Sequence, residues 1–310
     1  MTEPRGPFLQ EGVVVLDGGL ATELQRRGAD LDDRLWSARL LIDRPELIEE
    51  THTAYFEAGA DVAITASYQA SFEGFAERGF EREAASDLMR RSIELAARAR
   101  DTWWDERGGD DRLRPLIAAS VGPYGAVLAN GAEYTGDYGR SVRELRDFHA
   151  RRLDVLADPS VGADLLAVET IPSVVEAEAL AQVLAVYRHR SAWVAFSCRD
   201  GDHLCDGTPL EEAVRIVSDA PNVFAVGVNC TAPAYIESLV AAAAGATGLP
   251  VLAYPNRGAS YDADTKSWGD ADPADLATLA LRWVDAGAKM VGGCCGTGPD
   301  DVRAIAAVVG

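Results

Sequence analysis

Short apolar runs recur along the chain, and each is followed by a longer stretch in which apolar residues fall at helical spacing. The runs are Val13–Leu16, Val62–Tyr68, Pro115–Val121, Leu165–Ile171, Ala192–Cys198, Phe224–Cys230, Pro250–Asn256 and Lys289–Cys295. They are continuous rather than alternating, as parallel strands covered on both faces require. Helices are predicted to start at Leu20 and to span 45–58, 83–106, 141–157, 173–188, 209–219, 233–245, 273–286 and 299–308. In the 45–58 stretch Leu47, Ile48, Ala54 and Tyr55 keep helical spacing and Gly59 supplies the stop. Eight strand-helix units in 310 residues predict a (β/α)8 TIM barrel, with residues 1–310 as a single domain. An open doubly wound sheet is the competing architecture. It is disfavoured because Asp17-Gly-Gly-Leu-Ala-Thr after the first strand lacks the G-x-G-x-x-G spacing of a dinucleotide site. The segments 122–140 and 199–208, rich in Gly and Asp, are predicted to be long loops after the third and fifth strands.

In a barrel of this kind chemistry gathers where strands end. The predicted strand ends carry Asp17-Gly18-Gly19, Thr65-Ala-Ser67-Tyr68-Gln69, Glu169-Thr170, Asn229-Cys230, Tyr254-Pro255-Asn256 and Gly293-Cys294-Cys295. The barrel brings Cys230 and the Cys294-Cys295 pair, 64 positions apart, to one rim. Adjacent side chains on a strand point to opposite faces, so two neighbouring cysteines can share an ion only where the backbone leaves strand geometry. The glycines around the pair permit that departure. Three thiolates would hold one zinc ion and leave its fourth tetrahedral position open, the signature of a catalytic rather than a closed structural site. A thiol entering that position would be deprotonated by the metal, whereas a free thiol with pKa about 8.5 is mostly protonated at neutral pH. Such a thiolate is suited to attack on carbon. The bland alternative is three packed, inert thiols. Cys198 and Cys205 read as core and loop thiols outside the site.

Composition narrows the ligand class. With 29 Lys+Arg against 49 Asp+Glu the net charge is −20, which argues against nucleic acid and anionic membranes and favours small or cationic ligands. Five cysteines do not form an even disulfide framework, and no apolar run near the N-terminus has signal-peptide character. A cytoplasmic protein is expected. His52, His149, His189 and His203 share no ligand spacing and are expected to be packing or surface residues, as are Trp103 and Trp104.

Six segments together carry a family resemblance: Asp17-Gly-Gly-Leu-Ala-Thr-Glu-Leu, Thr65-Ala-Ser-Tyr-Gln-Ala, Glu169-Thr-Ile-Pro, Gly227-Val-Asn-Cys-Thr-Ala-Pro, Tyr254-Pro-Asn and Gly292-Gly-Cys-Cys-Gly. The chain resembles the homocysteine S-methyltransferase family from the first strand to the last. The resemblance implies a zinc-dependent barrel that methylates L-homocysteine to methionine, with one Zn2+ per chain held by Cys230, Cys294 and Cys295. The segments Arg199–Leu210 and Tyr254–Asp262 are closer to the branch using S-methylmethionine or S-adenosylmethionine than to the betaine-using branch. It also implies that Glu169 pairs with the homocysteine ammonium. Gly18 and Gly19 are expected to offer N–H groups to its carboxylate, with Asp17 fixing their turn or capping the next helix, and Asn229 and Gly293 complete the substrate site. Ser67, Tyr68, Tyr254 and Trp268 are expected to receive the sulfonium donor, for which aromatic faces and carboxylates are suitable surroundings. Other acceptors, selenocysteine among them, stay open, as does betaine as donor. Two further readings are a vicinal-dithiol redox protein and a noncatalytic zinc-binding barrel. The oligomeric state expected is a monomer or small homo-oligomer.

Overall fold

The computed structural model describes residues 12–31, 39–107, 112–258 and 275–310, and the backbone of 261–262 and 267–268. Eight parallel strands form the barrel: β1 (Val14–Val15), β2 (Val62–Ile64), β3 (Leu116–Val121), β4 (Leu165–Ile171), β5 (Ala192–Phe196), β6 (Val223–Asn229), β7 (Val251–Tyr254) and β8 (Ala288–Val291). Each strand pairs with its successor from β2 to β8, and β8 pairs with β1. A single parallel bridge, Leu16 to Val62, closes the remaining seam between β1 and β2. The chain is therefore the (β/α)8 barrel that the hydrophobic pattern predicts.

The strand residues divide by parity into two apolar populations. Val14, Leu16, Val62, Ile64, Ala118, Leu165, Ala167, Trp193, Ala195, Ala225, Leu252, Tyr254 and Met290 fill the barrel interior. Their neighbours Ala63, Ile117, Leu166, Val168, Val194, Phe196, Val226, Val228 and Ala253 pack outward against the helices. The pairing of β5 with β6 slips by one residue, from Ala192–Val223 to Trp193–Ala225, so that Phe224 joins the interior beside Trp193. Such a bulge lets one strand place two successive side chains where its partner places one.

Helices fall close to the predicted spans, with Pro45–Ala58 matching and Arg82–Arg107 the longest. Gly59 ends the first of these with φ +108°, the left-handed C-cap expected of glycine. The strands are shorter than predicted at their C-terminal ends. Residues after Ile64, Phe196, Tyr254 and Val291 leave the sheet, and those after Ile64 and Val291 turn into the walls of a cavity rather than into a ladder. The segment 122–140 is not a plain loop: it carries the helix Tyr124–Leu128 and the 3-10 turn Ala132–Tyr134. No described helix is long and apolar enough to cross a membrane.

Two measurements test this packing. A Cβ on Gly227 in β6 would stand 1.9 Å from the Leu252 carbonyl oxygen, whereas a Cβ on Gly245 near the end of the helix Pro233–Ala246 would meet nothing within 4 Å. Urea unfolding is expected to show Gly227→Ala destabilised by about 3 kcal/mol or more, and Gly245→Ala unchanged or stabilised by about 0.5–1 kcal/mol. His52 is fully buried, neither ring nitrogen has a partner among the described residues, and burial lowers its pKa from 6.5 to about 4. The folded state thus resists protonation that the unfolded state accepts. Stability is full above pH 6.5 and falls by up to about 3 kcal/mol as pH drops to 4. His52→Leu is expected to flatten that part of the pH-stability curve.

Candidate metal centre

Two turns at the C-terminal ends of strands bring the three cysteines together. β6 ends at Asn229, and Cys230 follows with φ +48°, a left-handed conformation uncommon for a residue with a Cβ. By strand parity Cys230 would point outward with Val228, and the turn directs its side chain to the cavity instead. Its N–H still bonds the Tyr254 carbonyl at 3.1 Å, and the Asn256 side chain donates to its carbonyl at 3.2 Å.

The second turn begins after β8. Gly292 and Gly293 run so close to β1 and to Thr297 that a Cβ on Gly292 would lie 2.6 Å from Leu16 Cβ, and one on Gly293 2.3 Å from Thr297 Oγ1. Cys294, Cys295, Gly296 and Thr297 then make a tight turn. The Thr297 N–H reaches the Cys294 carbonyl at 3.1 Å, and Gly296 takes φ +84°. That is the glycine a type II turn demands at its third position. The turn satisfies the condition set by strand geometry: two successive thiols face one point because neither lies in a strand.

The Sγ atoms of Cys230, Cys294 and Cys295 all lie within 4.8 Å of one another, and Cys230 and Cys295 are 3.6 Å apart. A disulfide needs about 2.05 Å, whereas ligands on a tetrahedral zinc ion with Zn–S about 2.3 Å stand about 3.8 Å apart. The donor set therefore fits zinc. The Cys230 thiol is held well below its ordinary range, chiefly by the thiol hydrogen bond from Cys294, while Cys294 and Cys295 are pushed well up by the same sharing with Cys230. Three sulfurs this close cannot all be anionic unless a cation joins them.

The centre opens on a cavity of about 410 Å3. Its described lining includes Asp17, Asp30, Glu133 and Glu169 but no Lys, Arg or His. A bulge sets Glu169: β4 gains one residue against β5 between Val168 and Ile171, and Thr170 there has φ +61°. Glu169 and Thr170 consequently both face the cavity. Glu169 accepts from Ser120 Oγ at 2.5 Å, and burial raises its pKa to about 7. Asp17 is 1% exposed, and burial raises its pKa well above the usual carboxylate range.

Several expected residues take other positions. Asp17 does not cap the next helix, whose N-cap is Gly19; its Oδ2 accepts the Ile64 N–H at 2.8 Å across the β1–β2 seam. The Gly19 N–H is already engaged by Thr297, at 3.1 Å to Oγ1, and so is not free for a carboxylate. Gly18 and Gly293 do line the cavity. Asn229 is fully buried behind the wall, where it accepts the Thr170 N–H at 2.7 Å and donates to Thr170 Oγ1 at 2.8 Å and to Cys294 Sγ at 3.9 Å. Ser67 is also behind the wall, bonded to Thr65 Oγ1 and to the Ser120 carbonyl. Tyr68 and Tyr254 line the cavity, with the Tyr254 hydroxyl accepting from Trp193 Nε1 at 3.2 Å. The Trp268 side chain lies outside the described residues. Cys198 is buried in the outer core and Cys205 bonds Ser197, both outside the thiol cluster as expected.

Other residues of the site carry no signal in their own sequence neighbourhood. Glu133 and Tyr134 arrive from the 122–140 segment, and the Tyr134 hydroxyl lies 3.5 Å from Cys230 Sγ. Arg152, fully buried on the helix Val142–Leu156, donates to the carbonyls of Ser67, Tyr68 and Gly122, tying together the turns after β2 and β3. His149 packs beneath them against Glu176 at 2.7 Å, and burial holds its pKa below the ordinary value. Asp200, Asp202 and His203 also cluster, but on a part-exposed loop where Asp200 Oδ1 already accepts the backbone N–H groups of Asp202 and His203.

Residues 14–309 match the family described as homocysteine S-methyltransferase. A homocysteine S-methyltransferase of Bacillus subtilis (strain 168) is 46% identical over 297 residues, covering 95% of this chain and 94% of its own. A selenocysteine Se-methyltransferase of Brassica oleracea var. italica is 44% identical, covering 95% of this chain and 88% of its own. The crystal structure of the Escherichia coli homocysteine methyltransferase in its metallated form superposes with a TM-score of 0.86 at 43% identity, covering 96% of each chain.

The Asn229 brace gives a test of how the rim is held. Asn229→Ala removes both bonds to Thr170 and leaves a buried N–H unpaired, so a loss of about 2–3 kcal/mol is expected in urea unfolding. An unchanged unfolding midpoint would show that the Thr170 bulge holds its left-handed conformation without the amide.

Proposed function

Since this chain belongs to the homocysteine S-methyltransferase family, and so is a methyltransferase, we propose that it moves a methyl group from a sulfonium donor to the sulfur of L-homocysteine, with zinc held by Cys230, Cys294 and Cys295. The observation that carries this reading is the convergence of three sulfurs at one end of a cavity whose described charges are all acidic. Zinc bound there would supply a fourth coordination position and keep the acceptor sulfur as a thiolate at neutral pH.

The chain's own residues do the rest. Glu169 pairs with the acceptor's ammonium, its carboxylate oriented by Ser120 and by the bulge at Thr170. Asp17 lies near enough for it and Glu169 to sense each other, and burial favours its protonated form until a cation arrives. Gly18 and Gly293 leave room for the substrate backbone to approach the wall. No general base is needed, because the acceptor reacts as a thiolate and methyl transfer moves no proton. The contribution of the protein is alignment of the two sulfurs with the methyl carbon and removal of bulk water around them. An acidic, tyrosine-lined cavity suits a cationic sulfonium donor, S-methylmethionine or S-adenosylmethionine, and one domain spanning residues 1–310 would contain the whole site. The selenocysteine Se-methyltransferase relative makes selenocysteine the second acceptor to examine.

Turnover with homocysteine and a panel of S-methylmethionine, S-adenosylmethionine and betaine, with and without a chelator, tests the proposal. Methionine formation is expected with a sulfonium donor and is expected to vanish with the zinc. Cys230→Ala should lose both metal and turnover, the latter by more than about 100-fold, since even residues behind a metal's ligands are worth 10–100-fold. Cys205→Ala should keep both. Methionine formation that persists after zinc removal would sink the metal role.

A further inference from the structure

Glu133 is a buried carboxylate that the reaction as described leaves without a task. Its backbone is fixed from two sides. Gly125 lies so close that a Cβ there would sit 2.6 Å from the Glu133 nitrogen, and Ser197 Oγ donates to the Glu133 carbonyl at 3.3 Å. The side chain is 8% exposed, lines the cavity, and its Oε2 has no hydrogen-bond partner among the described residues. An acidic oxygen buried without a partner is costly unless a ligand completes it.

Besides Asp30, the cavity wall carries three acids with different partners. Asp17 and Glu169 act on each other, and each accepts a bond from a strand residue, Ile64 N–H and Ser120 Oγ respectively. Glu169 also acts on Cys230, but Glu133 sits on the turn Ala132–Tyr134, has an oxygen free of hydrogen bonds among the described residues, and is followed by Tyr134, whose hydroxyl is 3.5 Å from Cys230 Sγ. The turn that carries Glu133 thus reaches the thiol cluster through Tyr134, at the end of the cavity where the methyl group would arrive.

We propose that Glu133, with Tyr68 and Tyr134 beside it, is the subsite that receives the positive charge of the sulfonium donor. The assignment rests on the sulfonium-donor reading given above. In the transfer the bond from the donor sulfur to its methyl carbon breaks, and its electron pair stays on that sulfur. A lone pair of the homocysteine thiolate forms the new sulfur-carbon bond. One positive and one negative charge disappear together, leaving two neutral thioethers. A carboxylate beside the sulfonium therefore holds the donor more tightly than it holds the transition state, and its effect belongs in KM rather than in kcat.

Steady-state kinetics and calorimetry on the zinc-loaded enzyme test this with Glu133→Gln, which removes the charge and keeps the shape. The KM and Kd for S-methylmethionine are expected to rise at least about tenfold, with the homocysteine KM within about twofold, kcat unchanged or higher, and zinc content unchanged. Glu133→Asp, which keeps the charge, is expected to recover part of the donor affinity. An unchanged donor KM and Kd in Glu133→Gln, or an equal rise in the homocysteine KM, would overturn the assignment. A wild-type enzyme that uses neither S-methylmethionine nor S-adenosylmethionine would instead defeat the donor reading, so the two failures are distinct.

Discussion

Negative charge confined without a counterion is the constraint on which this structure turns. Three thiols and four carboxylates, Asp17, Asp30, Glu133 and Glu169, surround one cavity, and no described basic residue joins them. The fold responds as electrostatics requires. Burial pushes Asp17, Glu133 and Glu169 toward protonation, and the thiols share hydrogen bonds so that charge settles on Cys230. In the proposed function cations would complete such a site: a metal among the sulfurs, an ammonium at Glu169 and Asp17, a sulfonium at Glu133. The net charge of −20 has a local counterpart here, at the place where it bears on ligand choice.

Holding these groups together takes backbone that a regular strand does not supply. Thr170 at the end of β4 and Cys230 after β6 adopt left-handed conformations, and Gly296 does so in the turn that carries the paired thiols. Residues forced into such regions persist only where neighbours fix them. Asn229 is that neighbour for Thr170, through two side-chain bonds, and it reaches toward Cys294 as well. Its value to the enzyme is the position of other groups, which explains why it stands beside a ligand in sequence and behind the wall in space.

The barrel was legible because its strands are covered on both faces and read as unbroken apolar runs, separated by helices of ordinary length. The thiol centre was legible because strand order alone brings Cys230 and Cys294-Cys295 to one rim. Finer detail was not, for physical reasons. Whether Gly19 offers its N–H or spends it on Thr297 depends on a contact 278 positions away. Asn229 ends β6 and Ser67 follows β2 in a turn, and one residue of bulge or turn decides whether such a side chain faces a cavity or a neighbouring strand. Glu133 could not be found from its surroundings in sequence, since its place depends on Gly125 admitting a tight turn and on a hydroxyl from β5's end. Arg152 is hidden in a helix whose other charges are mostly solvated.

The seam between β1 and β2 has one ladder bridge, at Leu16 and Val62, with the carboxylates of Asp17 and Asp61 each accepting a backbone N–H from the opposite side. Asp17 spans it with a carboxylate whose other oxygen faces the site without a partner. The same group thus fastens the last joint of the sheet and senses the charge of whatever occupies the cavity. One carboxyl group therefore belongs both to the closing seam of the barrel and to the wall of the cavity, so a substitution there would alter the two at once.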